Sequence, residues 1–354
     1  MKIPMEKRVE RFRSFYDGTC RRPLLGYFVG SEYPLFQYRS VDSLPEDRPL
    51  RPEDFDPVSF ARDCRRIFEE HESFGGDFIW SACAFWGIPW IEALIGADIY
   101  ANYQTGSLYA EMSGGDLQPE QIVFDEQNPW AQLCRSFLIE LAKKSRGDFP
   151  LATTRTRGVA DILSLIYHGE ELIFTMMDDD GSLERLTDAI TDLIIDFSRF
   201  QLEYIPAFHG GIGSFYYNLW APKGTMWHQE DATALLSPAL YEEFIRPCDE
   251  RIVKSLGNCI MHQHPTGYMP YRQYVEMGFR ALELHIDAGG PSAEQLLPVY
   301  ETIEASTPLI VWGAIADADL DVLFSRVRPE KLAVCCMLNS REEAERIWKR
   351  YIKE

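Results

Sequence analysis

Two histidines stand one residue apart at the end of a short apolar run. The stretch reads NCIMHQHPTG over residues 258–267 and contains His262 and His264. On a β-strand, positions i and i+2 point to the same face of the sheet. The two imidazoles would therefore lie side by side, which suits either a bound metal ion or a polar pocket at the end of the strand.

Cysteine is a further donor type for such a metal site. The chain has eight cysteines, none in a CxxC pair, and the adjacent Cys335 and Cys336 lie in the apolar run KLAVCCML. Neighbours on a strand face opposite sides, so only one can face a pocket; we predict Cys336, which is nearer the C-terminal end. With His262 and His264 it would complete the three protein ligands of a catalytic zinc. Alternatively, the histidines hydrogen-bond a substrate and the cysteines fill the core.

The elements that must position these residues alternate between strand and helix. Buried strands are predicted in residues 22–30, 75–83, 149–158, 258–265, 280–287, 307–315 and 331–338, with an eighth somewhere in 208–231. The stretches between several of them have apolar residues at helical spacing. We therefore predict an α/β fold, a single (β/α)8 TIM barrel over residues 1–354 with an N-terminal helical extension. An open doubly wound sheet is the alternative, but no GxGxxG or P-loop follows the first strand.

The charge of the chain restricts its partners. The formal net charge is −20, which argues against nucleic acids and anionic membranes because both select basic surfaces. One apolar segment, residues 78–101, is interrupted by Pro89, Glu92 and Asp98 and is better explained as strand, loop and helix than as a membrane span. No signal peptide is evident at the start. We expect a cytoplasmic protein with reduced thiols that acts on a small molecule.

The central part of the chain resembles the uroporphyrinogen decarboxylase superfamily. The likeness rests on residues 224–287, which begin GTMWHQEDATALLSPALYEEFIRP and end in FRALELHID. The last strand and helix, in RPEKLAVCCMLNSREEAERIWKRY, and the weaker IPWIEALIGADI near the front extend it to about residues 2–353. The resemblance implies a (β/α)8 barrel whose cleft lies at the C-terminal ends of the strands.

One branch of that superfamily transfers methyl groups between corrinoid proteins and thiols. Its members hold zinc with an HxC motif on one strand and a cysteine on the last strand. In this chain His262 matches the histidine, His264 stands in place of the first cysteine, and Cys335 or Cys336 lies near the last ligand. The resemblance therefore implies a zinc-dependent methyltransferase with a corrinoid protein as partner. Neutral imidazole in place of a thiolate would leave the zinc more positive, so a bound thiol would be more acidic and less nucleophilic.

Further residues are candidates for the same site. Asp231 matches an aspartate of the superfamily and would act as a general base or orient a ligand histidine. His228 is close to it in sequence, and Glu283 lies on the next strand with the parity of His285 and Asp287. We expect one of those last three to meet the pocket. Aromatic residues near the strand ends indicate an apolar cleft for a flat ligand. They are Tyr27, Trp86, Trp90, Tyr216, Tyr217, Trp220 and Trp227. We expect Tyr27, Trp86 and Trp227 to contact the bound ligand.

The other branch decarboxylates uroporphyrinogen in porphyrin biosynthesis without a cofactor, and this chain departs from its pattern. That branch uses arginines after the first strand and an aspartate after the second, whereas here the corresponding stretches read GYFVGSEYPLFQY and IWSACAFWGIPW. Such a tetrapyrrole decarboxylase remains one alternative function. A barrel that binds a small ligand without catalysis is another.

We predict that the chain does not decarboxylate uroporphyrinogen, because a substrate with many carboxylates needs cationic side chains to hold it. Anaerobic incubation of the purified chain with uroporphyrinogen should yield no coproporphyrinogen, while a genuine decarboxylase in the same assay does. Formation of coproporphyrinogen by this chain would contradict the prediction.

Overall fold

The computed structural model describes residues 3–112, 117–178, 181–216 and 218–352. The strands are β1 Leu24–Val29, β2 Asp98–Asn102, β3 Ser107–Glu111, β4 Thr156–Arg157, β5 Gly211–Ser214, β6 Leu219–Pro222, β7 Thr225–Gln229, β8 Asn258–Gln263, β9 Ala281–Ile286, β10 Leu309–Gly313 and β11 Leu332–Leu338. The helices are α1 Met5–Tyr16, α2 Pro34–Gln37, α3 Pro57–Phe74, α4 Trp90–Leu94, α5 Pro129–Ser145, α6 Val159–Tyr167, α7 Glu170–Met177, α8 Ser182–Tyr204, α9 Pro238–Leu240, α10 Arg246–Leu256, α11 Tyr271–Met277, α12 Ala293–Glu304, α13 Asp317–Arg326 and α14 Arg341–Tyr351.

Seven parallel strands form the central sheet. Their order is β1-β11-β10-β9-β8-β7-β4, and each neighbouring pair is parallel. Parallel neighbours need a crossover connection, which helices supply after each strand from β7 onward. The structure confirms the predicted α/β class and the N-terminal helix. It also confirms the strand expected within residues 208–231, which is β7. The described residues place seven strands in this sheet, not the eight expected.

The predicted second strand, residues 75–83, is extended but forms no continuous ladder. Its contact with the sheet is a hydrogen bond from Asp77 N to Leu25 O at 2.8 Å. At its other end Ala152 N donates to Ala82 O at 2.8 Å, in an isolated bridge outside the named strands. Between them the backbone N–H of Ile79 donates to Asn218 O of a neighbouring loop. Backbone donors that turn to other partners cannot also pair with a strand, which explains why this segment was mispredicted as a regular strand.

The register of the sheet determines which side chains share its inner face. His262 pairs with Glu283, and Trp312 pairs with both His285 and Cys335. Side chains at paired positions of neighbouring strands point to the same face, and those one residue away point to the opposite face. The inner face of β8 and β9 therefore carries histidine and carboxylate side chains, whereas their other face packs towards the helices.

The apolar segment of residues 78–101 contains part of the irregular second segment, helix α4 and most of β2. None of the described helices combines the length and the apolar character that crossing a membrane requires.

Asp77 connects the N-terminal helix to the sheet. Its carboxylate is fully buried and accepts hydrogen bonds from Arg11 on α1, from Arg22 at 2.6 Å and from the backbone N–H of Leu25 at 3.0 Å. A buried carboxylate is stable only when paired and hydrogen-bonded, and here both conditions are met by three separate parts of the chain.

We predict that Asp77→Ala lowers the free energy of unfolding by about 3 kcal/mol, because it removes the partner of two arginines and leaves a buried N–H unpaired. Urea unfolding followed by circular dichroism measures this change. The control is Asp188→Ala, which breaks an exposed pair with Arg251 at 2.9 Å and should cost less than about 0.5 kcal/mol. Equal losses in the two variants would contradict the role of Asp77.

Candidate active site

A cavity of about 430 Å³ opens where the parallel strands end. Its wall includes His262 and His264 at the end of β8, His285 and Asp287 at the end of β9, and Asp231 just after β7. The C-terminal ends of parallel strands are the usual place of active sites in such folds. The sequence prediction that both histidines of the HxH motif lie at this end is confirmed.

Asp231, His262 and His264 converge within this cavity. One potential ligand atom from each lies within 4.8 Å of the other two. The ring centroids of the two histidines are 4.5 Å apart and their planes are nearly perpendicular. Two imidazoles and a carboxylate at this spacing are sufficient to bind a metal ion. The side chains that the i, i+2 spacing was expected to bring together are indeed neighbours.

Carboxylates fix the orientation of both imidazoles. His262 Nδ1 donates to Glu283, its neighbour in register on β9, and His264 Nδ1 lies 2.9 Å from both carboxylate oxygens of Asp287. A carboxylate at Nδ1 makes Nε2 the nitrogen that would ligate a metal ion, and it raises the basicity of that nitrogen. A histidine held by a carboxylate at Nδ1, with Nε2 directed away from that carboxylate, is typical of catalytic metal centres.

The charges around the histidines act in different directions. Burial alone lowers the pKa of His262, but the Glu283 carboxylate outweighs this effect and raises the pKa above its ordinary value. Burial also lowers the pKa of His285, and there the nearby carboxylates do not restore it. His285 is therefore neutral at physiological pH, so its ring adds no positive charge to the cavity.

Aromatic side chains form another part of the cavity wall. Trp86, Phe215, Tyr216 and Trp227 line it, with ring centroids 5.0 to 5.7 Å apart. Trp227 also stacks on His262 at 5.2 Å, so it restricts the orientation of that imidazole. Trp86 and Trp227 line the cavity as predicted, but charged and polar side chains form most of the remaining wall, so the expectation of an apolar cleft is only partly met.

Tyr27, Trp90 and Trp220, which were also candidates, do not line the cavity. Tyr27 was predicted to bind a ligand, and this is wrong: its side chain points away from the inner face and its hydroxyl donates to Ala344 O on α14 at 2.9 Å. Trp90 and Trp220 are buried and donate to backbone carbonyl groups, so they belong to the core. Tyr217 lies outside the described residues.

The two adjacent cysteines face opposite sides of β11, as expected, but in the reverse sense. Cys336 pairs in register with the outward-facing Tyr27, and burial raises the pKa of its thiol to about 12, with Glu343 and Asp317 of the outer helices adding to the effect. Cys335 pairs with Trp312 on the inner face. The choice of Cys336 as the pocket residue is therefore corrected to Cys335.

Neither cysteine joins the histidines as a ligand in the arrangement found. Within the described residues, the groups of side chains that can converge on one metal ion include no cysteine. Cys335 is fully buried, and burial holds the pKa of its thiol well above the ordinary value. A thiol in such surroundings remains protonated, whereas a zinc ligand must be a thiolate. The third side chain that converges with the two histidines is Asp231.

His228 does not face the cavity, and its predicted catalytic role is therefore wrong. It lies one residue away from the inward-facing Trp227 and Gln229, fully buried on the other side of β7. Its Nε2 contacts Asp249 at 3.0 Å and Glu230 at 3.5 Å. Burial alone lowers the pKa of His228, but hydrogen bonds to these two carboxylates outweigh it and raise the pKa to about 10. His228 is thus the cation of a buried ion-pair network.

Glu230, in that network, also caps a helix behind the cavity. Its two carboxylate oxygens accept from the backbone N–H groups of Val159 and Ala160 at 2.7 and 2.8 Å, the first residues of α6. Gly158 makes this approach possible, because a Cβ there would lie 2.1 Å from the Glu230 carboxyl group. A carboxylate at a helix N-terminus is favourable, and it fixes the chain next to Asp231.

Glu283 and Asp231 were both assigned to the site, and of the two only Asp231 lies in the wall of the cavity. Glu283 is fully buried and contacts His262, so it positions an imidazole and does not line the cavity. Asp231 lines the cavity and accepts from Gln229 Nε2 at 2.7 Å; the partners of the histidines are other carboxylates. His285 and Asp287 both reach the cavity, although only one residue of that strand was expected to do so.

The sequence interpretation missed two arginines. Arg155 and Arg157 line the cavity at the end of β4. Arg157 pairs with Glu92 at 3.0 Å and lies 3.5 Å from Asp161. The alternation in TTRTRG, residues 153–158, was a usable signal, because residues at i and i+2 at a strand end face the same side.

Comparisons with known proteins support the fold. No protein-family model and no curated protein sequence matches the chain. Among solved structures, a methyltransferase from Methanosarcina mazei matches over 97% of both chains with 12% identity and a TM-score of 0.64. A Rhizobium etli pyruvate carboxylase matches 95% of this chain and 29% of its own, with 10% identity and a TM-score of 0.34, too low to carry an argument. The chain therefore has the fold of the Methanosarcina methyltransferase.

We predict that His228→Ala lowers the free energy of unfolding by about 3 kcal/mol near neutral pH, because two buried carboxylates lose their cation. The folded-state pKa lies above the ordinary 6.5, so this contribution is complete below about pH 6.5 and is lost as the pH rises through about 10. Urea unfolding of both proteins across this range measures the difference.

The matched control is His168→Asn, at an exposed position with a positive φ of 47° that asparagine tolerates. It should change stability little at any pH. A loss for His228→Ala that stayed constant up to about pH 10 would contradict the proposed ionisation.

Proposed function

We propose that this chain is a metal-dependent methyltransferase of the uroporphyrinogen decarboxylase superfamily, in the branch that moves a methyl group between a corrinoid protein and a thiol. The full-length structural match to the Methanosarcina methyltransferase supports the fold part of this proposal. We further propose that the sheet closes into a (β/α)8 barrel, with residues 75–83 and 149–152 bridging β1 and β4; the hydrogen bonds at Leu25 and Ala82 support that closure.

The observation that carries the functional proposal is the convergence of Asp231, His262 and His264 at the strand ends. Each histidine has a carboxylate at Nδ1, so both rings are held before any ion binds. Two histidines and one carboxylate form a known catalytic zinc set, which keeps one position open for substrate. The residues present therefore fit zinc.

When bound there, zinc supplies Lewis-acid chemistry, lowering the pKa of a thiol that coordinates it. The chain itself performs the remaining tasks. Glu283 and Asp287 keep the two imidazoles oriented, and Trp227 stacked on His262 restricts its rotation. The aromatic wall, residues Trp86, Phe215, Tyr216 and Trp227, excludes water from one side of the site. Methyl transfer between a corrinoid and a thiolate would take place in this cavity.

The donor set separates this chain from the thiolate-rich pattern of the branch it resembles. His264 stands in place of the first cysteine, and Asp231, which follows β7, converges with the two histidines instead of a cysteine of the last strand. Two histidines with one carboxylate also suit iron(II), so the identity of the metal is part of the experimental test. The non-catalytic alternative, a barrel that only binds a small ligand, predicts no bound metal at all.

We predict that chain purified after growth with zinc contains about one zinc per molecule, and that the double variant His262→Ala/His264→Ala contains almost none. Asp231→Ala should weaken zinc binding, and Glu283→Gln should weaken it by about 10- to 100-fold because His262 loses its carboxylate partner. Elemental analysis and competition with a coloured chelator measure these changes.

Cys336→Ser is the matched control, since that thiol faces the outer helices and should not affect metal content. Metal retained in the histidine double variant would refute the site, and metal lost in Cys335→Ser but kept in Asp231→Ala would replace aspartate by cysteine as the ligand. Activity is tested with methylcobalamin and 2-mercaptoethanol, followed by the absorbance change on demethylation. Only the zinc-loaded chain with both histidines should accelerate this reaction.

A further inference from the structure

Arg155 differs from the other arginine of the cavity in having no partner. It directly precedes β4 and lines the cavity together with Arg157. Arg157 is neutralised by Glu92 and Asp161. Within the described residues Arg155 forms neither an ion pair nor a hydrogen bond, and its Nε is buried without an acceptor. The wall of the cavity therefore carries one guanidinium whose charge is not balanced by direct contact.

The Nε of Arg155 is buried without an acceptor, which is unfavourable, while the residue as a whole is only partly buried. Burial lowers the pKa of Arg155, and the neighbouring Arg157 lowers it further, although Glu92 and Asp231 at longer range act in the opposite direction. An arginine nevertheless stays charged in proteins. Leaving such a charge unpaired costs stability, and an incoming anion would remove that cost. The geometry of a guanidinium matches the two oxygens of a carboxylate.

The other charged side chains of the cavity limit how much negative charge a bound ligand can carry. Glu32, Asp231 and Asp287 also line it and would repel a second negative charge on a ligand. The guanidinium of Arg157 is already engaged by the carboxylates of Glu92 and Asp161. One unpaired guanidinium among these acids suits a monoanion and disfavours a phosphate dianion or a dicarboxylate.

We infer that Arg155 binds the carboxylate of a monoanionic substrate whose apolar part lies against the aromatic wall. The position of the reacting group beside His262 and His264 rests on the proposed function, but the anion site itself does not. Tyr216 supports this placement, since the charge of Arg155 acts on its hydroxyl and its ring is part of the wall. The substrate class is therefore a small aliphatic or aromatic carboxylic acid.

The test compares benzoate with benzyl alcohol, which has the same ring but no charge. Binding to metal-free protein is followed by quenching of tryptophan fluorescence, because Trp86 and Trp227 line the cavity. Benzoate should bind more tightly than benzyl alcohol and more tightly than phthalate, a dianion. Arg155→Met should weaken benzoate binding by about 10-fold or more and leave benzyl alcohol unchanged. Arg155→Lys should retain part of the affinity, since it keeps the charge but loses the paired contact.

The matched control is Arg62→Met, the same change of charge at an exposed position of α3, which should not alter benzoate binding. Unfolding provides a second readout: Arg155→Met should unfold no earlier than the unaltered protein, because it removes an unpaired charge, whereas Arg157→Met should unfold earlier because Glu92 loses its partner. Unchanged benzoate affinity in Arg155→Met, or an equal loss for benzyl alcohol, would overturn the inference.

Failure of the anion site and failure of the proposed function give different results. If benzoate binding depends on Arg155 but the chain holds no zinc, the anion site stands and the methyltransferase proposal falls. If zinc binding and methyl transfer to 2-mercaptoethanol depend on the histidines but benzoate binding does not depend on Arg155, the methyltransferase proposal stands and the anion site falls.

Discussion

The pairing of His262 with Glu283 is the contact on which the candidate site depends. These residues lie in register on neighbouring parallel strands, so the acid reaches the imidazole without any loop to place it. A carboxylate buried at that depth is stable only with a partner, and the histidine provides it. The contact therefore stabilises the two strands together and fixes the ring whose other nitrogen faces the cavity. Just beyond the ends of the same two strands, His264 is held by a second carboxylate, that of Asp287.

The stretch from Trp227 to Asp231 divides its residues between two environments. Alternate side chains face the cavity, where Trp227 stacks on a histidine and Gln229 holds Asp231. The side chains between them, His228 and Glu230, form a buried network with Asp249 and the start of α6. This network balances charge away from solvent and fixes the backbone that carries Asp231. A residue can thus be essential for the geometry of the site without touching a ligand.

Charge in the cavity is arranged unevenly. Arg157 is balanced by neighbouring acids, whereas Arg155 has no direct partner among the described residues. The metal-binding candidates and the unpaired guanidinium line the same cavity. With this arrangement Arg155 would hold the carboxylate of a substrate, while its reactive end would lie beside the histidines. Different residues would then provide binding energy and chemistry. The aromatic side chains of the same cavity provide apolar contact that is not selective for charge.

The sequence alone determined the features that depend on local periodicity. Alternation of apolar runs with amphipathic stretches predicted parallel strands and helices, and the i, i+2 spacing of His262 and His264 predicted two imidazoles on one face. It also showed that Cys335 and Cys336 must face opposite sides. These conclusions need only the two-residue repeat of a strand and the 3.6-residue repeat of a helix. They hold whichever other strands are nearby.

Only the tertiary structure decided how those faces meet. Which cysteine faces inward depends on the register of β11 against β1 and β10, and a shift of one residue would exchange the two. His228 was assigned to the site because it is close in sequence to Asp231, and Tyr27 because it is near a strand end, but their parity places both outside it. Asp231, and not a cysteine, converges with the two histidines. Among the described residues Arg155 has no ion-pair partner, whereas Arg157 lies next to two acids. Each outcome depends on contacts between residues far apart in sequence, and spacing along one chain does not encode such distances.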